Sequence, residues 1–263
     1  MRKTAIVTGG ASGIGRAVAA GLVRRGVHVV IADVRDADRV AKELDCDGAA
    51  LDVTDAEAVA ALAGRVRAEH GRLDFLFNNA GIAVGGSAEE LTLDHWNRTI
   101  DVNLRGVVHG VRAAYPLMIE QGYGHIVNTA SLAGLTPAPL MIPYTATKHA
   151  VVGLSLALRA EAAAHGVRVS VVCPGFVDTP LLDNANPGLP QTEVGREARA
   201  AALRAQGRLY PADDLARDVL RGVALNRALI VAPASARVAW RLVRLSPGLA
   251  TRVAGSAFRR FLA

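Results

Sequence analysis

Cysteine is almost missing: Cys46 and Cys173 are the two in 263 residues. They are too few and too far apart for a disulfide framework or a thiolate metal site. A reduced, cytoplasmic setting is therefore expected, and no metal is. Aromatic residues make up 4% of the chain, so any core must be built from Ala, Val and Leu. No uninterrupted apolar run reaches the ~18 residues of a membrane-spanning helix. The first apolar segment begins at Thr4, so a leader peptide is not expected. Acid is absent after Asp218, where eight arginines follow. The preceding residues hold the other 22 basic groups against 24 acidic ones. The net charge of +6 thus belongs to the tail, and nucleic-acid binding along the body is not expected.

Hydrophobic residues make up 51% of the chain, enough for one sizeable core. Apolar runs at 4–8, 28–33, 48–52, 73–77, 124–130, 167–173 and 228–231 are short, rich in Val, Ile and Leu, and bounded by turn residues. They read as strands. Helical patterns fill the gaps, including 55–71 with Thr54 as its cap and a long segment from Leu93 to Tyr115. Such alternation predicts a single α/β domain over 1–263, with a core at 4–232 and a helical extension at 236–263. The expected sheet is parallel and doubly wound, with about seven strands and helices on both faces. Ligands of such sheets sit beyond the carboxyl ends of the strands.

The run from Thr4 to Gly15 reads as a buried strand and a glycine-rich turn, followed by a helix from Arg16 to Val27. That arrangement offers free N–H groups and a positive dipole end to a diphosphate. Asp33 ends the next strand, eighteen residues after Gly15, about where a carboxylate meets ribose hydroxyls. Together these describe a Rossmann-type nucleotide site. Farther on, Tyr144 and Lys148 stand four residues apart, thirteen residues after Ser131. A helix from Pro143 to about His165 puts the two on one face. The ammonium is then expected to lower the phenol pKa toward the range useful for general acid–base chemistry.

With these motifs the chain resembles the classical short-chain dehydrogenase/reductase (SDR) family over about residues 4–232. The resemblance rests on Thr8, Gly9, Gly13 and Gly15; on Asp52–Val53; and on Asn78, Asn79, Ala80 and Gly81. It continues through Asn103, the set Ser131, Tyr144 and Lys148, and the run Pro174–Thr179. It implies that Asn103, Ser131, Tyr144 and Lys148 are catalytic, with Asn103 holding a relay water. It implies NAD contacts from Gly9, Ser12, Gly13, Ile14, Gly15, Asp33, Asp52, Val53, Asn79, Ala80 and Gly81. Tyr144, Lys148, Pro174, Gly175, Val177 and Thr179 complete that set. Asp33 disfavours a 2′-phosphate, and Ser12 and Val34 are not basic. Arg35 keeps an NADP-dependent carbonyl reductase as the alternative, and a catalytically idle nucleotide sensor is a third reading. The resemblance also implies a homo-oligomer, dimer or tetramer, built on long helices, for which Ala150, Val151, Gly153 and Leu154 offer a suitable surface.

The substrate is expected to be a neutral, lipophilic secondary alcohol or ketone. Leu132, Leu135, Pro139, Leu140, Met141, Phe176, Leu181 and Leu182 are candidate walls, or simply core. The segment 183–197 reads as a closing loop; Arg196 within it and Arg199 just after it are candidates to hold a substrate carboxylate or phosphate if the loop folds inward. In the tail, Arg237, Arg241 and Arg244 follow helical spacing, with Val238, Leu242 and Leu245 one position along. Ser246–Pro247 is expected to start a second helix bearing Leu249, Val253 and Phe261. Three uses are open for this extension: peripheral contact with an anionic membrane, packing on protein, or cover for the active-site mouth.

Overall fold

Strand β1 (Thr4–Thr8) buries all five of its residues, and its alternating side chains enter two different helix layers. Ala5 and Val7 pack with Ala17, Val18 and Leu22 of α1 (Gly13–Val23). Ile6 packs with Val59, Leu62 and Val66 of α3 (Ala56–His70). Burial on both faces makes such a strand apolar throughout, as a parallel sheet requires. The computed structural model describes residues 2–262, with side chains through Ser256. Phe261, assigned above to the apolar side of the tail, has its side chain outside the described residues.

The sheet adds β2 (His28–Asp33), β3 (Asp47–Ala50), β4 (Phe75–Asn78), β5 (Gly124–Thr129) and β6 (Val167–Pro174). Two-residue strands β7 (Val177–Asp178) and β8 (Tyr210–Pro211) pair separately, and β9 (Leu229–Ala232) closes the main sheet. Seven strands run parallel in the order β3-β2-β1-β4-β5-β6-β9. The order reverses between β1 and β4, which opens a crevice at their carboxyl ends. Helix α2 (Ala37–Leu44) and helix α9 (Ala212–Ala224) share the α1 layer. Helices α4 (Leu93–Ile100), α5 (Gly106–Gln121) and α6 (Ile142–Ala162) lie between β4 and β6 in sequence. The short α7 (Glu193–Arg196) and α8 (Ala198–Gln206) carry the expected closing loop into β8, and α10 (Ala234–Leu245) and α11 (Pro247–Leu262) form the tail.

Several boundaries differ from expectation for local reasons. Helix α1 starts at Gly13, inside the glycine turn. Helix α3 is capped by Asp55, whose carboxylate accepts from the Ala58 N–H at 2.9 Å, so Thr54 is not the cap. Thr54 instead donates its N–H and hydroxyl to Asp52. The expected continuous helix after Leu93 is interrupted by a π-helical turn at Asp101–Arg105, which separates α4 from α5.

No helix among the described residues is long and apolar enough to cross a membrane. In the tail, Ala236 and Trp240 pack on the core. Val238, Leu242, Leu245, Leu249 and Val253 are 56–83% exposed.

Candidate active site

The turn after β1 is shaped by two glycines. Gly9 takes φ +62°, and a Cβ on Gly15 would meet the Gly9 carbonyl oxygen at 2.1 Å. No side chain larger than hydrogen fits there. Ser12 precedes α1 without a side-chain cap bond, which leaves the first-turn N–H groups of the helix to an anion. Asp33 accepts from the N–H groups of Ala11 and Arg35 at 3.1 and 3.2 Å. Its remaining lone pairs can still accept from ribose hydroxyls. Asp52 is bonded to Thr54, and its pKa is lowered: burial opposes the charge, but the two Thr54 hydrogen bonds and the Arg98 charge outweigh it. Val53 presents its carbonyl to His109 at 2.9 Å.

The carboxyl ends of β1, β4 and β5 are stitched together beside this turn. Thr8 Oγ1 accepts from the N–H groups of Asn79 and Ala80, while Asn79 Nδ2 donates to the carbonyls of Thr8 and Gly9. Thr129 donates to Asn79 Oδ1 at 3.3 Å. Asn79 is therefore a brace across the cleft floor. Opposite it, a Cβ on Gly13 would lie 3.0 Å from Thr179, so the loop after β6 closes over the glycine turn. Gly175 donates its N–H to the Ala232 carbonyl at 2.8 Å, and Gln206 clasps the backbone of Phe176 on both sides. Pro174 ends β6, and Val177 lies buried in the same loop.

Ser131, Tyr144 and Lys148 converge at the end of β5. Gly134 permits this, because a Cβ there would meet the Lys148 carbonyl oxygen at 2.5 Å. The segment after Ser131 consequently lies directly against α6. Lys148 is 3% exposed and donates from Nζ to the Thr129 carbonyl at 2.9 Å. Burial lowers its pKa to about 8. Its Nζ lies 5.5 Å from the centre of the Tyr144 ring.

Burial raises the Tyr144 pKa, although a hydrogen bond with Ser131 pulls it the other way. This differs from the expected lowering by Lys148: partial burial of the phenol raises its pKa, and the Ser131 hydrogen bond opposes that rise. The sequence reads Cys173 only as an isolated thiol, with no link to this group. It lies beneath the group, its thiol pushed up to about 12 by burial despite the Lys148 charge and a hydrogen bond from the Ser131 backbone.

Asn103 sits in the π-helical turn, fully buried, with both side-chain groups bonded to the backbone of Ile82 at 2.8 and 3.0 Å. A Cβ on Gly81 would lie 3.1 Å from Asn103 Oδ1 and 3.6 Å from Lys148 Nζ. Asn103, Gly81 and Lys148 therefore meet at one point, although the amide of Asn103 is engaged in holding the chain after β4.

A second polar chain runs through the core. Asn78 donates to Asn128 at 2.9 Å, Asn128 donates to Ser155 at 2.9 Å, and Ser155 donates to the Val151 carbonyl at 2.6 Å. It links β4 and β5 to α6. The sequence hid Asn128 and Ser155 because each looks like an isolated polar residue in an apolar run.

On the substrate side, Leu132 and Leu135 are partly buried and pack against the core cluster that holds Val107, Val151 and Val231. Leu140, Met141, Phe176 and Leu181 are partly exposed, Pro139 is exposed and Leu182 is buried. The loop expected to close is docked. Asn186 and Gly85 exchange hydrogen bonds at 3.0 Å in both directions, Thr192 donates to the Gly85 carbonyl, and His95 Nε2 lies 2.9 Å from the Pro190 carbonyl. Arg199 is not open to a substrate anion. It bridges Asp178 and Asp183 and donates to the Thr179 carbonyl. Arg196 is exposed, within electrostatic range of Glu90. Val151 is fully buried in its own chain, which removes it from any subunit surface.

The family model for short chain dehydrogenase matches residues 3–190. The probable oxidoreductase EphD of Mycobacterium tuberculosis (strain ATCC 25618 / H37Rv) is 39% identical over 216 residues. That match spans 76% of this chain but 36% of the relative's length. The D-beta-hydroxybutyrate dehydrogenase of Rhizobium meliloti (strain 1021) is 35% identical over 201 residues, 73% of this chain and 78% of that one. Among solved structures, a short-chain dehydrogenase/reductase from Burkholderia phymatum in complex with NAD superposes with TM-score 0.86 at 34% identity, covering 94% of this chain and 95% of that one. With the doubly wound sheet, the glycine turn and the Ser–Tyr–Lys cluster at its strand ends, these matches establish that the chain belongs to the short-chain dehydrogenase/reductase family of oxidoreductases.

Proposed function

We propose that this protein interconverts a secondary alcohol and a ketone with NAD(H), Tyr144 acting as general acid and base. The observation that carries the reading is the convergence of Ser131, Tyr144 and Lys148 beside the glycine turn. Bound NAD would accept the hydride from the alcohol carbon, or NADH would return it to the carbonyl carbon. Tyr144 moves the matching proton: its phenolate takes it from the alcohol oxygen during oxidation, and its phenol gives it to the carbonyl oxygen during reduction. The raised phenol pKa suits the second role directly. Ser131 holds the substrate oxygen and steadies its developing charge. Lys148 holds Thr129 and borders Gly81, where it can meet the nicotinamide-side ribose. Asn103 fixes the backbone at Ile82, so a relay water would use its main-chain carbonyl.

The cofactor preference rests on Asp33, which favours a ribose 2′-hydroxyl and repels a 2′-phosphate. The NAD complex of the Burkholderia relative supports the same choice. Nicotinamide absorbance across a panel of secondary alcohols and ketones tests the reading, with NAD and NADP in parallel. Tyr144→Phe should leave NAD binding intact and cost roughly 10²–10⁴-fold in turnover. Near wild-type turnover in that variant removes Tyr144 from its role, and a clear NADP preference overturns the cofactor assignment. The docked loop engages Arg199 internally, which favours a neutral, lipophilic substrate over an anionic one.

The tail supports a surface partner of matching chemistry, an anionic lipid bilayer. Its exposed apolar row, Val238 to Val253, lies among arginines with no acid after Asp218. A two-fold pairing of this face with itself would set arginine against arginine. Co-sedimentation with phosphatidylserine-containing vesicles should retain the full chain and release one truncated at Ser246. Equal recovery of both chains, or equal binding to neutral vesicles, removes the lipid assignment. Light scattering of the same preparations reports whether the chain forms the dimer or tetramer implied by its family.

A further inference from the structure

The opposite edge of the sheet, away from the cleft, gathers three side chains with no role in the proposed reaction. His28 opens β2, Asp47 opens β3 and His70 ends α3. The parallel pairing of β2 with β3 sets Asp47 beside Val30, two residues from His28, and α3 finishes over this corner. The three groups are 28, 47 and 70 in sequence, a spacing that matches no short metal motif. Only the fold brings them together.

Each offers one ligand atom, and these atoms all lie within 4.8 Å of one another. The two imidazole rings are 4.0 Å apart between centres and tilted by 41°. His28 Nε2 lies 2.9 Å from Asp47 Oδ2. Even so, that nitrogen is buried and lacks the alignment of a hydrogen bond to any partner. A buried ring nitrogen left this way is costly, and a shared cation is one means of satisfying it. Tetrahedral zinc, with bonds of about 2.0–2.2 Å, holds neighbouring ligand atoms about 3.3 Å apart. Small side-chain rotations therefore suffice to close the cluster. Glu69 Oε2, 3.9 Å from His70 Nε2, is a fourth donor at hand.

We infer that His28, Asp47 and His70 form a binding site for a divalent transition metal, with zinc the best match. Two imidazoles and one carboxylate suit a borderline cation better than magnesium or calcium, which favour all-oxygen shells. The site is structural. It ties the starts of β2 and β3 to the end of α3, and water completes the shell. The site lies at the amino ends of β2 and β3, away from the carboxyl strand ends that α6 brings Tyr144 to, so occupancy should affect stability without altering the chemical step.

The test uses the full-length, tag-free protein after chelator treatment. Zinc is titrated by calorimetry, and cobalt(II) is followed by its visible absorption. One equivalent should bind, with cobalt bands of tetrahedral or five-coordinate intensity, and saturating zinc should raise the thermal midpoint. His70→Gln and His28→Gln should each weaken binding by more than the roughly 10–100-fold that outer-shell changes cost. Both should lose the thermal shift and keep nicotinamide-linked turnover. If either variant fails to fold, the imidazole resonances of His28 and His70 in the wild-type protein provide the readout, because zinc must perturb both. Absence of saturable binding, binding unchanged in both variants, or resonances unmoved by zinc each overturns the assignment.

Discussion

Replacing Lys148 by methionine should produce a stability difference with a distinctive course in pH. Lys148 is 3% exposed, and burial depresses its pKa from 10.5 to about 8. In the unfolded chain it titrates near 10.4. Below pH ~8 both states hold the proton, and the folded chain bears the full cost of enclosing a cation. Between about pH 8 and 10.5 the unfolded chain binds the extra proton, so wild-type stability rises with pH. Above that window both states are neutral and the gain is complete.

At ~1.4 kcal/mol per pH unit the rise amounts to about 3 kcal/mol. Methionine has similar length and no charge, so Lys148→Met lacks this component. The wild-type-minus-variant unfolding free energy should therefore climb by about 3 kcal/mol across the window and stay flat below it. Losing the bond to the Thr129 carbonyl offsets the absolute gain by roughly 1.5–3 kcal/mol, which is why the slope is the quantity to measure. Urea unfolding followed by circular dichroism at stepped pH provides it. A difference that stays flat or falls between about pH 8 and 10.5 refutes the claim that burial governs this lysine.

Two other substitutions test the scaffold. Gly15→Ala drives a methyl into the Gly9 carbonyl oxygen at 2.1 Å, so NAD binding by fluorescence titration should be lost and the thermal midpoint should fall; retained affinity would mean the turn is not the diphosphate seat. Asn186→Ala strands the Gly85 N–H, while Thr192 keeps its bond to the Gly85 carbonyl, at a cost of about 1–3 kcal/mol to the docked loop. KM for the alcohol should rise while NAD affinity holds, and unchanged KM would separate this loop from substrate binding.

The alternation of apolar runs and helices was enough to read the parallel sheet, since strands buried on both faces leave continuous Val-, Ile- and Leu-rich segments. Local chemistry likewise exposed the glycine turn, Asp33 and the Tyr144–Lys148 pair, because each depends on spacing within one turn or helix. The π-helical turn was not readable, because Asp101–Arg105 carries an ordinary helical pattern and departs from it where Asn103 engages Ile82. The direction of the Tyr144 pKa is hidden for a related reason: sequence shows the neighbouring charge but not the partial burial that outweighs it. Arg199 looked like a free cation until the fold set Asp178 and Asp183 around it. The His28–Asp47–His70 corner depends on strand register, which no linear spacing records.

The amide and hydroxyl chain from Asn78 through Asn128 to Ser155 has a consequence for how substrate range can change. It keys the rotation of α6 to the centre of the sheet, from a place no substrate reaches. The phenol and ammonium are thus indexed to the cofactor floor by an internal dowel, while the outer loop hangs from Gly85 by separate pegs. Loop residues can be exchanged for new substrates with the proton-transfer geometry left in register, whereas a single change at Asn128 would detune the reaction for every substrate alike.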